Sequence, residues 1–269
     1  VDKDTLGMSA EALDLFLNTE CERRDGGLYH RATGQRVAAC LPVHVLGLPC
    51  RSEEIQRLCD AVGLPLIEDA AEALGSGVST QQGTKLCGSF GDVGVVSFNA
   101  NKLITTGSGG VLLTNDQALA DRARHLSRVA KVPHAYKVKF DGVGYNYGMP
   151  ALNASLGLAQ WQKLGKMQAS KRALAERYAS ALDPLRGLTW MRPVEGAISN
   201  DWIMAVALDD AQEAQQLIKQ THQAGVLTRP LWEPMHQSKA HAAWPRSDLS
   251  QTEWLAERVV QLPSWPRWV

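Results

Sequence analysis

The chain has 269 residues, of which 45% are apolar, so it is long enough to bury a full core and to form a large domain with a smaller one. Its 28 basic and 28 acidic residues cancel, which argues against the basic surface that nucleic-acid-binding proteins use to neutralise phosphates. Five cysteines are scattered without a C-x-x-C pair, which argues against a disulfide framework and a zinc knuckle, and we expect reduced thiols in the cytoplasm.

The first elements are a helix and a loop. Ser9 stands before apolar positions at helical spacing and is predicted to cap a helix from Ala10 to Leu17. The hydrophilic, glycine-bearing segment 22–35 is predicted to be a surface loop.

A strand, a helix and a second strand follow in that order. The apolar run Val37–Val43 predicts a buried strand, and Leu64–Glu68 predicts the next one. Between them, Ser52 is predicted to cap a helix that reaches Ala61 and ends at Gly63. Continuous apolar strands separated by a helix are typical of a parallel sheet covered on both faces, so we predict an α/β fold.

Two more strands and three helices complete the first part of the chain. The short apolar runs Val93–Phe98 and Val111–Thr114 predict strands, and Asp116–Ser127 predicts a helix. Helical spacing of apolar residues then predicts a long helix from Pro150 and another over Ala169–Leu182.

Pro184 and Gly187 break the helical pattern and mark a predicted domain boundary. We therefore assign residues 1–183 to a large domain and residues 184–269 to a smaller α+β domain. The smaller unit is predicted to contain a strand over Trp202–Leu208, a helix over Asp210–Ala224, and a Pro- and Trp-rich tail.

Lys102 and Asp69 are the strongest candidates for chemistry. Each follows a predicted strand, so the fold places one amine and one carboxylate at the ends of neighbouring strands. A lysine that forms a Schiff base and an aspartate that holds the pyridinium nitrogen are the two groups that pyridoxal 5'-phosphate needs most. The alternatives are a solvated lysine and an aspartate that caps a helix beginning at Ala70.

Two neighbours extend this candidate site. Glu72 lies one turn after Asp69, and because two adjacent carboxylates repel, it must be protonated or bonded elsewhere. The Ser97 hydroxyl is placed to bind a phosphate, with a strand serine bonded to backbone as the alternative. His44 is read as a hydrogen-bonded structural residue, because no second His or Cys stands at metal spacing, and we predict no metal site.

Several longer motifs together resemble the DegT/StrS-type nucleotide-sugar aminotransferases. These motifs are Ile67–Ser76, Gly88–Gly94, Ser97–Gly110, Gly144–Tyr147 and Arg229–His236. The resemblance covers essentially the whole chain and implies the fold-type-I architecture, with a mostly parallel central sheet in the large domain. Within the family, Asn99–Gly107 and Lys131–His134 look most like the branch that aminates C4 of UDP-linked 4-keto-6-deoxy-N-acetylhexosamines in legionaminic acid or bacillosamine synthesis.

The resemblance also implies residue roles. Lys102 would carry the cofactor, Asp69 would hold its ring nitrogen, Glu72 would lie beside its ring hydroxyl, and Ser97 would bind its phosphate. Asn146 would reach the cofactor phosphate of the other subunit, which makes a homodimer with shared active sites the expected assembly. The resemblance implies that His134, Arg229 and His236 lie on the substrate side, and glutamate is the expected amino donor.

The chain departs from the family pattern in two places. Gly148 stands where the family usually has arginine, so a guanidinium expected near the bound anion is missing. The family's phosphate cradle and ring-stacking aromatic belong to a segment before anything that matches Val1, so we expect the chain to be incomplete at its N-terminus.

Two function hypotheses therefore stand. The first is a cytoplasmic aminotransferase with amino-acid and nucleotide-sugar substrates and neither nucleic acid nor membrane as a partner, because no apolar stretch approaches the roughly 18 to 20 residues that span a bilayer. The second is a non-catalytic member of the same fold that acts as a binding or regulatory module. Dehydration of the sugar by a related enzyme is disfavoured, because those relatives have histidine in place of the lysine that this chain keeps at Lys102.

Overall fold

The computed structural model describes residues 1–266. Its helices are α1 (Ala10–Leu15), α2 (Ser52–Val62), α3 (Gln117–Leu126), α4 (Ala151–Trp161), α5 (Leu164–Leu182), α6 (Ala211–Gln223) and α7 (Ser250–Arg258). A π-helical segment, Phe16–Glu20, continues α1.

The strands belong to several small sheets. They are β1 (Cys21–Arg24), β2 (Gly27–His30), β3 (Ile67–Asp69), β4 (Gly77–Thr80), β5 (Gly83–Leu86), β6 (Val93–Ser97), β7 (Gly110–Leu113), β8 (Lys131–Val132), β9 (Lys139–Phe140), β10 (Leu188–Trp190), β11 (Ala197–Ile198), β12 (Ala205–Leu208), β13 (Arg229–Pro230) and β14 (Val259–Gln261).

The sheet β3-β6-β7 carries the candidate site. β3 and β6 are parallel, with Asp69 opposite Val95, and β7 runs antiparallel to β6. The carboxyl ends of β3 and β6 therefore lie together, which confirms the predicted placement of Asp69 near the segment that leads to Lys102. Val37–Val43 was expected to be a regular strand, but it makes only isolated parallel bridges to β3 and its flank through Cys40 and Val43.

A second, antiparallel sheet has the order β10-β12-β14-β13. It packs against α5 and α6, and Trp190, Val206 and Val260 are buried in the core between them. The Pro- and Trp-rich tail contains α7 and β14, and β14 is a central strand of this sheet.

Packing crosses the predicted boundary at residue 184. Leu46 and Leu48 share one buried cluster with Ala205 and Val259 from the second part of the chain. The division into residues 1–183 and 184–269 stays a prediction.

Two local predictions were wrong. Segment 22–35 contains most of an antiparallel hairpin rather than only a loop, because Asp25 and Gly26 have positive φ angles of 48° and 71° and form a tight turn between β1 and β2. Ser52 does not cap α2: its buried hydroxyl donates to the carbonyl of Cys50, and Arg51 occupies the cap position.

Among the other helix ends, α1 stops at Leu15 rather than Leu17 and α5 begins at Leu164 rather than Ala169, whereas several starts lie where predicted. Ser9 caps α1 through Ala12 N, and Asp116 and Asp210 cap α3 and α6 with their carboxylates. Gly63 ends α2 in the left-handed conformation, with φ of 62°. Within residues 1–266, no helix combines the length and the apolar character that crossing a membrane demands.

Candidate active site

Lys102 lies in a turn that follows β6 and is held close to a carboxylate. Its Nζ lies 3.4 Å from Glu72 Oε1, and the side chain is 13% exposed. The same Nζ lies 4.0 Å from the centroid of the Trp202 ring. The amine is therefore held between a carboxylate and an aromatic face, a setting unlike the solvated lysine that was the alternative.

Glu72 is bonded on both carboxylate oxygens. Oε1 accepts from Lys102, and Oε2 accepts from the backbone N–H of Leu46 at 2.8 Å. Burial raises the pKa of Glu72, the Leu46 N–H and the Lys102 charge oppose that rise, and the charge of Asp69 adds to it. The expectation that Glu72 is bonded to groups other than Asp69 is confirmed.

Asp69 ends β3, and within residues 1–266 one of its two carboxylate oxygens accepts a hydrogen bond whereas the other is available to a ligand. Oδ1 accepts from Ala71 N at 3.0 Å, whereas Oδ2 receives no hydrogen bond from any residue in the described range 1–266. Residues 70–76 form turns, so Asp69 caps no helix. The available oxygen is the acceptor that a ring N–H would need.

A buried brace fixes β3 immediately before Asp69. His44 and Glu68 are 0% and 1% exposed, and His44 Nε2 lies 3.0 Å from Glu68 Oε2. Because His44 Nδ1 accepts from Cys50 N at 3.2 Å, the ring donates its proton to Glu68 through Nε2. The reading of His44 as a hydrogen-bonded structural residue is confirmed, and among residues 1–266 no group of three or more His, Cys, Asp and Glu side chains is placed to hold a metal ion.

Glu68 accepts three further hydrogen bonds, all from backbone N–H groups. Gly88 N donates to Oε2 at 3.1 Å, and Phe90 N and Gly91 N donate to Oε1 at 2.5 and 2.9 Å. Burial works to raise the pKa of Glu68, but the bonds from His44, Gly91 and Gly88 outweigh it and hold that pKa below its usual range. Sequence reasoning missed this function of Glu68, although a glutamate inside an apolar strand is itself a signal that it has partners.

Sequence reasoning also missed Asn200 and Trp202. Asn200 Nδ2 donates to the carbonyls of Glu72 and Leu74 at 2.8 and 3.0 Å. Trp202 was predicted to lie in a strand, but Asp201 has a positive φ of 53° and β12 begins only at Ala205. A segment about 100 residues after Lys102 thus contributes to the candidate site.

Ser97 and Asn146 lie outside the contacts of this cluster. Ser97 ends β6, and its hydroxyl accepts from Asn99 N at 3.2 Å, which is the local bond given above as the alternative. Asn146 is exposed and its backbone bridges to Arg128, and none of the described contacts joins it to Lys102 or Glu72. Their phosphate-binding functions stay predictions.

The three residues predicted on the substrate side are dispersed. His134 is exposed, and its Nδ1 accepts from Tyr136 N and Lys137 N. Arg229 is exposed in β13, and His236 Nε2 lies 2.8 Å from Glu253 Oε1. None of the described contacts joins these residues to Lys102, so their substrate contacts also stay predictions.

A cavity of about 670 Å³ lies elsewhere. It is lined by apolar side chains that include Val96, Phe98, Val111 and Trp161. Because neighbouring strand residues point to opposite faces, a cavity lined by Val96 lies on the face of β6 away from Ser97. The chemistry and this cavity are therefore separate features.

The residues of the cluster fit pyridoxal phosphate. Lys102 supplies an amine with little exposure, and Asp69 supplies a carboxylate oxygen without a protein hydrogen bond beside it. An amine of this kind attaches to an aldehyde, and a carboxylate of this kind pairs with a protonated ring nitrogen.

Comparisons with known proteins agree with this chemistry. Residues 28–268 match the model of the DegT/DnrJ/EryC1/StrS aminotransferase family. EpsN of Bacillus subtilis, whose name describes a pyridoxal phosphate-dependent aminotransferase, is 35% identical over 87% of this chain and 57% of its own length. The GDP-perosamine synthase of Vibrio cholerae is 32% identical over 88% of this chain and 64% of its own length.

A solved structure extends the similarity to the fold. The aminotransferase TlmJ from Streptoalloteichus hindustanus has a TM-score of 0.85 and 29% identity, over 100% of this chain and 67% of its own. The chain thus spans less than two thirds of the length of the curated relatives that it matches.

Proposed function

The chain belongs to the DegT/DnrJ/EryC1/StrS aminotransferase family and has its fold, and from this premise we propose that it acts as a pyridoxal phosphate-dependent aminotransferase on a nucleotide-linked sugar. The observation that carries the proposal is the placement of the Lys102 amine 3.4 Å from Glu72, with Asp69 at the end of β3, the parallel neighbour of the strand that leads to Lys102. A non-catalytic member of the fold would not need to keep a largely buried amine beside Glu72 together with an available oxygen on Asp69.

Each residue of the cluster has a separate task. When bound, the cofactor supplies an aldehyde and an electron-withdrawing ring on which an amino group is carried between substrates. Lys102 would hold it covalently and, once released, would move a proton between carbon atoms through Nζ. Asp69 would hold the ring nitrogen in its protonated state, and Glu72 keeps the Lys102 amine close.

The acceptor that we propose is the C4 keto group of a nucleotide-linked 4-keto-6-deoxy sugar of the UDP-N-acetylhexosamine type, with glutamate as the amino donor. The product would serve in the synthesis of bacterial surface glycans or nonulosonic acids, as in the legionaminic acid or bacillosamine branch. Support comes from the segments Asn99–Gly107 and Lys131–His134, which resemble that branch. Because GDP-perosamine synthases are among the relatives, a GDP-linked keto sugar is the natural comparison substrate.

A homodimer with shared active sites is part of the proposal. Segment 131–149 exposes large apolar side chains, with Tyr136 83% and Tyr147 76% exposed. Exposed apolar surface of this extent marks an interaction site, and Asn146 lies within it. We propose that this segment packs on a second copy and that Asn146 reaches the phosphate site there.

The substrate test uses nitrogen-labelled glutamate. The purified chain with added pyridoxal phosphate is incubated with the donor and with either the UDP-linked or the GDP-linked keto sugar, and mass spectrometry follows the label. Label in the UDP-linked sugar supports the proposal, label in the GDP-linked sugar alone corrects the nucleotide, and no label in either with cofactor bound contradicts the activity.

The dimer test uses complementation between two inactive variants, Lys102→Ala and Asn146→Ala. In a mixed dimer, one site combines the intact lysine of one chain with the intact asparagine of the other, so random pairing restores about one quarter of the sites. Sites built within a single chain would stay inactive after mixing.

A further inference from the structure

Trp202 is held from several directions by the protein. Its backbone N–H donates to Asn200 Oδ1 at 2.9 Å, and its carbonyl accepts from the buried Lys171 Nζ at 2.9 Å. Its indole Nε1–H donates to the carbonyl of Asn101 at 2.9 Å. The residue is only 5% exposed, so the ring has a fixed position rather than a choice of rotamers.

The fixed ring meets the catalytic lysine. Lys102 Nζ lies 4.0 Å from the ring centroid, within the range in which an ammonium group is attracted to an aromatic face. The indole N–H also holds Asn101, the residue directly before Lys102. Trp202 therefore contacts both the backbone that carries this lysine and the amine at its end.

The segment that contains Trp202 also contacts Glu72, the carboxylate partner of Lys102. Two residues before Trp202, Asn200 donates to the carbonyl of Glu72 at 2.8 Å. Gly47 packs so closely here that a Cβ at this position would lie 2.1 Å from Asn200 Oδ1, and Gly47 has a positive φ of 85°. The segment Asn200–Trp202 thus contacts the backbone at or next to both charged residues.

We propose that Trp202 is a positioning residue for Lys102, which holds the amine beside Glu72 and keeps it from solvent whenever it is not covalently engaged. The inference deepens the proposed function and rests on it, because it assigns the lysine a defined resting place between covalent states. Trp202 contacts Lys102 and the carbonyl of Asn101, so we assign it an action through Lys102.

Packing alone does not account for Trp202. Among the described residues, the buried apolar clusters of the protein include Trp190 but not Trp202. Trp190 is buried to a similar extent, 7% exposed, and stacks on Tyr178. Trp190 is therefore a matched control for the loss of a buried indole.

The test measures the reactivity of the Lys102 amine without cofactor. Acetic anhydride labels the folded chain at neutral pH, and peptide mass spectrometry gives the rate at Lys102 relative to the exposed Lys219. Trp202→Leu removes the ring and should raise that relative rate about threefold to tenfold, as expected from the loss of one desolvated cation–π contact. Trp202→Phe keeps an aromatic face and should stay within about twofold of the unmodified chain.

The controls separate positioning from stability. Trp190→Leu should lower Tm and leave the relative rate at Lys102 unchanged. If Trp202→Leu does not fold, Trp202→Met, which fills more of the space, replaces it with the same expected increase. Equal Lys102 rates in the unmodified chain and the Leu or Met variant would overturn the proposal.

A second readout distinguishes this proposal from the proposed function. Each folded variant is mixed with pyridoxal phosphate and reduced with borohydride, and the fraction covalently modified at Lys102 is measured across pH. Trp202→Leu should change that pH profile, whereas Trp190→Leu should not. Absence of modification in the unmodified chain would reject the proposed function, and the acetylation rates would still decide whether Trp202 positions Lys102.

Discussion

Replacing Glu68 by glutamine should be among the most damaging conservative changes in this protein. The carboxylate accepts from His44 and Gly88 on one oxygen and from Phe90 and Gly91 on the other. Glutamine keeps a single acceptor oxygen. If that oxygen stays with Phe90 and Gly91, the new NH₂ group faces two donors, the imidazole N–H and the Gly88 N–H.

The imidazole cannot resolve this conflict by changing tautomer. Moving its proton to Nδ1 would set that N–H against the Cys50 N–H, which now donates to Nδ1. Each buried donor left without a partner costs about 1–3 kcal/mol, and Glu68→Gln leaves two such donors, so their combined cost is about 2–6 kcal/mol. We therefore expect Glu68→Gln to lower the free energy of unfolding by about 2–6 kcal/mol, with a corresponding fall in Tm.

The assay is chemical and thermal unfolding followed by circular dichroism, with Glu195→Gln as the control. Glu195 is exposed in a turn, so its substitution should change stability by less than about 0.5 kcal/mol. Because the pKa of Glu68 is lowered in the folded state, its ionised form stabilises the protein above the usual glutamate value of about 4.3. That stabilisation is lost as pH falls through the lower folded pKa. The free energy of unfolding of Glu68→Gln should therefore lack the decrease at acidic pH that protonation of Glu68 causes. Equal stability of Glu68→Gln and Glu195→Gln would refute the brace.

Three further predictions concern the site and its supports. In Asp69→Asn, the NH₂ group takes the place either of the available oxygen or of the oxygen that accepts from Ala71 N. This change should lower kcat on the order of hundreds-fold in a transaminase assay. A kcat equal to that of the wild type would contradict the assignment. Asn200→Ala removes its bonds to Glu72 and Leu74 and should cost about 2–4 kcal/mol of unfolding free energy, measured in urea. Burial lowers the pKa of Lys171 to about 8, so the unfolded chain binds more protons between about pH 8 and 10.4 and the contribution of this lysine to stability rises with pH there. Lys171→Met should remove up to about 3 kcal/mol of that rise, and an identical pH slope would show that Lys171 is not the cause.

Local patterns predicted much of the framework. Ser9 caps α1 as expected, and the helices predicted to begin at Asp116 and Asp210 do form there with these residues as caps, because a helix start depends on residues within one turn of it. The apolar runs of β3 and β6 predict two strands, and their parallel pairing, with only the β4–β5 hairpin between them in the chain, brings Asp69 towards the segment of Lys102.

The contacts that complete the site could not be predicted in this way. Trp202 and Lys102 are 100 residues apart, and no periodicity in either segment indicates that an indole lies against this amine. The partners of Glu68 come from two different loops, so the spacing along the strand could suggest only that some partners exist. Asp25 and Gly26 were different: they form a recognisable turn signal, and the hairpin was missed because its strands are largely polar.

Covalent trapping at Lys102 tests the central claim most directly. The purified chain is incubated with pyridoxal phosphate, reduced with borohydride, digested and analysed by mass spectrometry, beside a Lys102→Arg variant. We predict a phosphopyridoxyl group on Lys102 that glutamate removes when it is added before reduction, and none at that position in the variant. Modification spread over exposed lysines such as Lys219, with Lys102 unmodified, would contradict the account.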